Sequence, residues 1–235
     1  MSTFQFKYFT IKQEVTAVKV GTDAMLLGVF TNVSEANKVL EIGTGTGVIS
    51  LMLAQKNPNV EIVALEIHAE TALEAIHNVA ISPYCDNIIV QNQDFLLFQA
   101  GEKYDVIVTN PPYFENGLLP EDPKDILAKH IAKATLEEWF NKISQLLNCN
   151  GKCWMILPAI SVKEWIDMAN MFHLFLDQRI DLYAKPSICK RIILSLSKIS
   201  KDLIHRDFTI RNLDGSYTLE YLELTQEFHD RIPIR

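Results

Sequence analysis

Apolar residues change their spacing along this chain, and each change predicts a different element. Phe4, Phe6 and Tyr8 alternate with Gln5 and Lys7, the period-two pattern of a half-exposed strand. Residues 22–30 then predict a short helix with Thr22 or Asp23 as its N-cap. From Lys38 onward, short aliphatic runs alternate with helical stretches. Strands are predicted over 39–42, 60–66, 88–90, 104–109 and 152–157. Helices are predicted over 48–56, ended before Pro58, over 70–81, with Ala72, Leu73, Ile76 and Ala80 on one face, and over 136–147. Asn150-Gly151 makes the turn from that last helix into the fifth strand. Past Pro158 the pattern predicts a helix over 162–172, strands near 180–183 and 192–196, and a turn at Asp214-Gly215. A final helix starts near Thr218, with Tyr221, Leu224 and Phe228 on one face. Strands and helices alternating at these lengths imply an α/β fold: a doubly wound, mostly parallel sheet covered on both faces.

Composition narrows the class without choosing an activity. With 235 residues, 48% hydrophobic and 22% charged, the chain is neither disordered, collagen-like nor a coiled coil. No apolar run approaches the roughly 18 residues of a membrane helix. Residues 1–7 lack a basic stretch followed by an apolar one, which argues against secretion. Cys85, Cys149, Cys153 and Cys189 are scattered, and the Cys149/Cys153 pair has no histidine or second pair to complete a zinc site. Reduced thiols in a cytoplasmic protein without metal are therefore expected. The net charge of −7 argues against a protein that coats nucleic acid non-specifically.

Two loops carry the candidate chemistry. Glu41-Ile42-Gly43-Thr44-Gly45-Thr46-Gly47 follows a strand and opens a helix, where glycines let the backbone approach a ligand at the C-terminal edge of the sheet. Glu66 ends the next strand, where a carboxylate can accept both hydroxyls of a ribose, and Asp94 stands just past the third strand, within reach of an adenine amino group. A dinucleotide site wants G-x-G-x-x-G, yet Val48 occupies the place of the third glycine. Glu41, directly before the loop, would repel a pyrophosphate and suits a zwitterionic amino acid.

The second loop is Asn110-Pro111-Pro112-Tyr113, at the end of the fourth strand. Two prolines fix the backbone and remove two donors, so the Asn110 side chain and the Pro111 carbonyl can present acceptors, while Tyr113 offers a flat face to a planar group. That set suits methylation of an amide or exocyclic nitrogen, whose lone pair is delocalised. Two acceptors on its hydrogens favour a more tetrahedral nitrogen, and holding the reactants in line can supply roughly 7–11 kcal/mol of the barrier. Adenine amines and protein glutamine amides both answer this description. A non-catalytic nucleotide-binding module and a dehydrogenase remain the readings from other classes.

The elements 41–47, Glu66, Asp94 and 110–113 together resemble the class I, Rossmann-like amino-methyltransferases that carry the Asn-Pro-Pro-Tyr tetrapeptide. The opening Lys19-Val20-Gly21-Thr22-Asp23-Ala24-Met25-Leu26-Leu27-Gly28 resembles the start of the bacterial valine-tRNA (adenine-37-N6) methyltransferases. So does the block Lys185-Pro186-Ser187-Ile188-Cys189-Lys190-Arg191 with the apolar strand that follows. The resemblance spans essentially the whole chain. It implies S-adenosyl-L-methionine as cofactor, the N6 amine of adenine 37 as acceptor, a valine tRNA as partner, and Thr22 and Asp23 beside the methionine part of the cofactor. The expected organisation is one monomeric domain: a covering segment (1–36), a cofactor-binding and catalytic core (37–158), and a part that completes the sheet and contacts RNA (159–235). Within that last part, the stretch from Arg179 to Arg211 holds Arg179, Lys185, Lys190, Arg191, Lys198, Lys201, Arg206 and Arg211 against Asp181, Asp202 and Asp207, a local net charge of +5 and the mark of a phosphate-contacting surface on an acidic body. The stretch 115–124 is a candidate lid.

Overall fold

The computed structural model describes residues 2–16, 19–111 and 123–229, and for 123–134 the backbone alone. Near the N-terminus, β1 (Thr3–Gln5) and β2 (Thr10–Lys12) pair antiparallel, followed by α1 (Thr22–Phe30). Alternation then sets in: β3 (Lys38–Ile42), α2 (Val48–Lys56), β4 (Glu61–Glu66), α3 (Ala69–Ala80), β5 (Ile88–Asn92) and β6 (Tyr104–Thr109). After these come α4 (Pro123–Leu146), β7 (Leu147–Pro158), α5 (Val162–Met171), β8 (Phe175–Tyr183), β9 (Cys189–Ser197), β10 (Ile204–Thr209) and α6 (Leu219–Thr225).

Eight of these strands form one sheet in the order β10-β8-β9-β7-β6-β3-β4-β5. All neighbours are parallel except where β9 meets β7 and β8. The inner strands read as near-continuous aliphatic runs because both faces are covered. Leu40, Ile107 and Leu157 pack with α4 and α5 on one face. Val39, Val108 and Ile156 pack with α1 and α2 on the other. Gly28 makes that second layer tight, since a Cβ there would sit 2.7 Å from the Met52 sulfur. Among the described residues no helix is long and apolar enough to cross a membrane.

Several expectations change in detail. The first strand stops at Gln5; Phe6 bridges to His229, and Tyr8 lies within a turn closed by Phe6 N–H donating to the Phe9 carbonyl. Neither Thr22 nor Asp23 is the N-cap of α1: Gly21 holds that place, and Asp23 is committed to Arg191 instead. β7 begins at Leu147, so Asn150-Gly151 lies inside a strand with an irregular register against β6 rather than in a turn.

The largest correction is the face of α3. Leu73 and Ile76 are exposed, whereas Ala72, Glu74, Ala75, Asn78 and Val79 are buried. Period alone pointed at the larger aliphatics, but the helix turns its small and polar residues inward because specific polar partners wait there. β2 and β10 were not foreseen. In the second, five polar or exposed positions surround a single buried residue, Phe208.

Candidate active site

β3, β4 and β6 lie side by side and parallel, so the loops leaving their C-terminal ends emerge at one edge of the sheet. Gly43, Gly45 and Gly47 all take positive φ, at 73°, 57° and 83°. A side chain at each would cost about 1–2 kcal/mol in that left-handed region. The N–H groups of Gly43 and Thr44 both donate to the Leu65 carbonyl at 2.9 Å, which stitches the loop across the end of β4.

Glu41 lies beneath this loop with 1% exposure. One of its oxygens, Oε2, accepts from Thr44 Oγ1 at 2.7 Å, from the Ser50 N–H at 3.0 Å and from the Ser50 hydroxyl. The other, Oε1, is buried and has no hydrogen-bond partner. Burial pushes the carboxyl up to about 7, against the pull of the Ser50 and Thr44 bonds, and the neighbouring Glu66 charge adds to the rise. A buried anion with an unfilled oxygen is built to receive a cationic donor.

Glu66 is also buried and braces the loop from the next strand. Its Oε2 accepts the Gly45 N–H at 3.0 Å and its Oε1 accepts the His68 N–H at 3.0 Å. Asp94 stands past β5 and accepts the Leu96 N–H at 2.8 Å, a side-chain turn that fixes the loop following the strand. Glu41, Glu66, Asp94 and the three glycines therefore collect along one edge.

Asn110 and Pro111 join them there, partly buried and buried respectively. Thr109, fully buried, donates its hydroxyl to the Ile42 carbonyl at 3.0 Å. That bond ties the base of the Asn110 loop to the base of the glycine loop. Pro112 and Tyr113 lie outside the described residues, as does 115–122 of the candidate lid; Pro123 and Lys124 begin α4.

Thr22 and Asp23 open α1. Asp23 accepts from Arg191 Nε at 2.8 Å, which links α1 to the first residues of β9. The other arginines of the basic segment are engaged on different faces. Arg179 makes a two-pronged contact with Asp181, Arg206 pairs with Glu220 and lies over Phe30, and Arg211 lies 3.9 Å from the centre of the Tyr217 ring. Lys185, Lys190 and Lys201 are exposed. Lys190 and Arg191, successive in β9, point to opposite faces, so the basic residues of the strands do not share one face of the sheet. Asp181, His205 and Asp207 come together on the outer strands, but the Arg179 guanidinium already engages both Asp181 oxygens, so the carboxylate's charge is taken up.

Sequence reasoning passed over Thr44, Ser50 and Thr109. Ser50 carried a signal, as a lone hydroxyl among the apolar residues of 48–54; Thr109 at a strand end carried none. Cys149 is exposed and Cys153 buried, where burial pushes its thiol up to about 12. The two are not a reactive pair.

The family described as "Methyltransferase small domain" matches residues 16–172. A tRNA1(Val) (adenine(37)-N6)-methyltransferase of Bacteroides thetaiotaomicron is 38% identical over 228 residues, 96% of each chain. The protein of the same name from Pseudoalteromonas translucida is 32% identical, covering 97% of this chain and 99% of that one. The counterpart from Trichodesmium erythraeum is 36% identical over 231 residues. A predicted O-methyltransferase of Agrobacterium tumefaciens shares the fold, with a TM-score of 0.68, 19% identity and coverage of 88% of this chain and 96% of that one. A polyketide-synthase O-methyltransferase of Brevibacillus brevis, solved with S-adenosyl-L-homocysteine, superposes with a TM-score of 0.51 at 21% identity over 68% of this chain and 54% of that one.

Proposed function

We propose that this chain, which belongs to the tRNA1(Val) (adenine(37)-N6)-methyltransferases within the methyltransferase small domain family, methylates the N6 amine of adenine 37 in a valine tRNA. S-adenosyl-L-methionine, when bound, supplies the methyl group on an electron-poor sulfonium. The residues fit that cofactor. Glu41 offers its unpartnered buried oxygen to the ammonium of the methionine part. Above Gly43 an added Cβ would meet nothing within 4 Å, so there is open space for a ligand to pass against the backbone. Glu66 and Asp94 are the partners we assign to the ribose hydroxyls and the adenine amine of the cofactor. Thr22 and Asp23 border its methionine part.

The observation that carries the reaction is the Thr109–Ile42 bond, because it holds the two loops at a fixed offset. Methyl transfer needs the acceptor nitrogen on the line of the breaking carbon–sulfur bond, and a shift of about 1 Å between the loops would cost on the order of a hundredfold in rate. In this reading the Asn110 side-chain oxygen and the Pro111 carbonyl accept the two N6 hydrogens. They draw positive charge off the nitrogen as it attacks, and the proton then leaves towards solvent. Tyr113 is the residue we assign to stacking on the extruded base. The chemistry asks for no metal and for one chain only. Thr109→Val keeps the side-chain volume but deletes the bond. Its expected cost is about 1 kcal/mol of stability, together with a drop in kcat at unchanged cofactor affinity, read by melting and by steady-state kinetics.

Residues 1–36 cover the cofactor side, 37–158 form the core, and 159–235 complete the sheet and meet the RNA. β8 ends and β9 begins at the same edge as the Asn110 loop, so exposed Lys185 and Lys190 are the basic residues best placed to meet phosphates near the anticodon. A cytoplasmic location follows from a tRNA substrate. The test is incubation of unmodified tRNA with the protein and methyl-labelled cofactor, followed by nucleoside analysis. N6-methyladenosine at position 37 of the valine isoacceptor is expected. Label in protein, or none in tRNA, would overturn the reading and return a glutamine amide to the front.

A further inference from the structure

We infer that Glu74 and Asn78, outside every residue assigned above, are positioning residues for the cofactor: they clamp the segment 12–16 across α3 and against the glycine loop. This rests on the reading of the glycine loop as the cofactor site. Glu74 is 6% exposed and Asn78 fully buried on a helix that is otherwise unremarkable on its outer face. They stand one turn apart and so share a face. The Glu74 carboxylate accepts three successive backbone N–H groups, from Glu14 at 2.6 Å, Val15 at 3.0 Å and Thr16 at 3.2 Å. Such a concave run of amides is an anion-binding turn, and here the anion is the protein's own.

Asn78 works in both directions. Its Oδ1 accepts the Lys12 N–H at 2.8 Å, and its Nδ2 donates to the Lys12 carbonyl and to the Thr46 carbonyl, each at 2.9 Å. One amide thus joins the segment to the glycine loop itself. Ala75 and Val79, between and beyond the two, lie 3.7 Å from where a Cβ on Gly47 would stand, so the same face also supports the end of that loop. At the far end of the segment, Thr16 Oγ1 comes within 4.0 Å of the corresponding point on Gly45. The clamp therefore sets where Thr16 sits above the loop that would hold the methionine part.

A glutamine at position 74 keeps the volume but replaces one acceptor oxygen with a donor, set against backbone N–H groups. Glu74→Gln is expected to raise KM for S-adenosylmethionine by about tenfold to a hundredfold, with kcat at saturating cofactor preserved and KM for tRNA unchanged. Hydrogen exchange on the unaltered protein tests the same clamp without any variant. Addition of S-adenosylhomocysteine should slow exchange at Glu14, Val15 and Thr16, and Glu74→Gln, if folded, should speed it there while the core strands stay protected. Unchanged exchange at those amides on ligand addition, or a variant whose kcat falls with KM for cofactor unmoved, overturns the inference. A protein that methylates tRNA yet shows either result would leave the proposed function standing. One that binds no S-adenosylhomocysteine would take both down.

Discussion

Asn110→Ala is expected to slow methyl transfer severely while the protein continues to bind cofactor and tRNA. The side chain removed is the acceptor we assign to one N6 hydrogen. Preorganised polar partners of this kind, removed singly, cost on the order of 10²–10³-fold in kcat. The loss belongs to the transition state, where the nitrogen gathers positive charge, so KM for both substrates should hold while kcat falls. Asn110→Asp retains an oxygen in place and should recover part of the rate. Steady-state kinetics with labelled cofactor on all three proteins separates the cases. A loss of less than about tenfold for Ala, or an equal loss for Asp and Ala, would remove Asn110 from the reaction.

Glu41→Gln should uncouple binding from stability. In the ligand-bound protein as proposed above, the lost partner would be one half of a buried ion pair, worth about 3–5 kcal/mol when broken from one side. Cofactor affinity should therefore fall by on the order of 10²–10³-fold. In the ligand-free protein the sign reverses. The folded carboxyl titrates at about 7, above the unfolded value near 4.5, because burial disfavours its charge. The folded protein thus keeps a proton that the unfolded chain has already released between those values. The stability Glu41 contributes is complete at pH 4.5 and below, declines as pH rises and is gone above about 7. Over that window the wild-type decline is about 3 kcal/mol, whereas the amide left without a partner costs the variant a constant amount, roughly 1–3 kcal/mol, at every pH.

Melting curves of ligand-free protein at pH 5 and pH 8 read this directly: wild type should lose ground to Glu41→Gln as the pH is raised. Cofactor binding to the wild type has the opposite dependence. An ammonium ligand needs the ionised form, so affinity should be flat above pH 7 and weaken about tenfold by pH 6. A wild-type binding constant indifferent to pH over 6–8 would show that no cation meets Glu41.

How much of this could be read from the chain depends on what each residue is bonded to. The inner strands were legible because burial on both faces leaves an unbroken aliphatic signal, as in residues 39–42 and 104–109. The glycine loop was legible because three glycines between a strand and a helix have few other uses, and all three do take positive φ. α3 was misread for a physical reason: Leu73 and Ile76 look like core, but Glu74 and Asn78 have partners 58–66 positions away in sequence. No local pattern encodes a bond of that reach. The same holds for Asp23, whose Arg191 partner lies 168 positions on, and for β10, whose polar strand is recruited by pairing with β8 rather than by its own apolar content. The basic segment is a different case. The count of charges was right, but successive residues of a strand point to opposite faces, so a run in sequence is not a run in space.

The single reversed strand, β9, divides the sheet into two kinds of territory. On the β3–β6 side each parallel neighbour is reached by a crossover, and the loops at the reacting edge are locked between a strand and a helix. On the far side β8 returns directly through β9, so residues 184–188 form an ordinary hairpin end with no helix behind it. Such a hairpin can lengthen, shorten or change its charges without moving the strands beneath. In the function proposed above, changes of length or charge at this hairpin would alter which RNA is held without displacing the loops that follow β3 and β6.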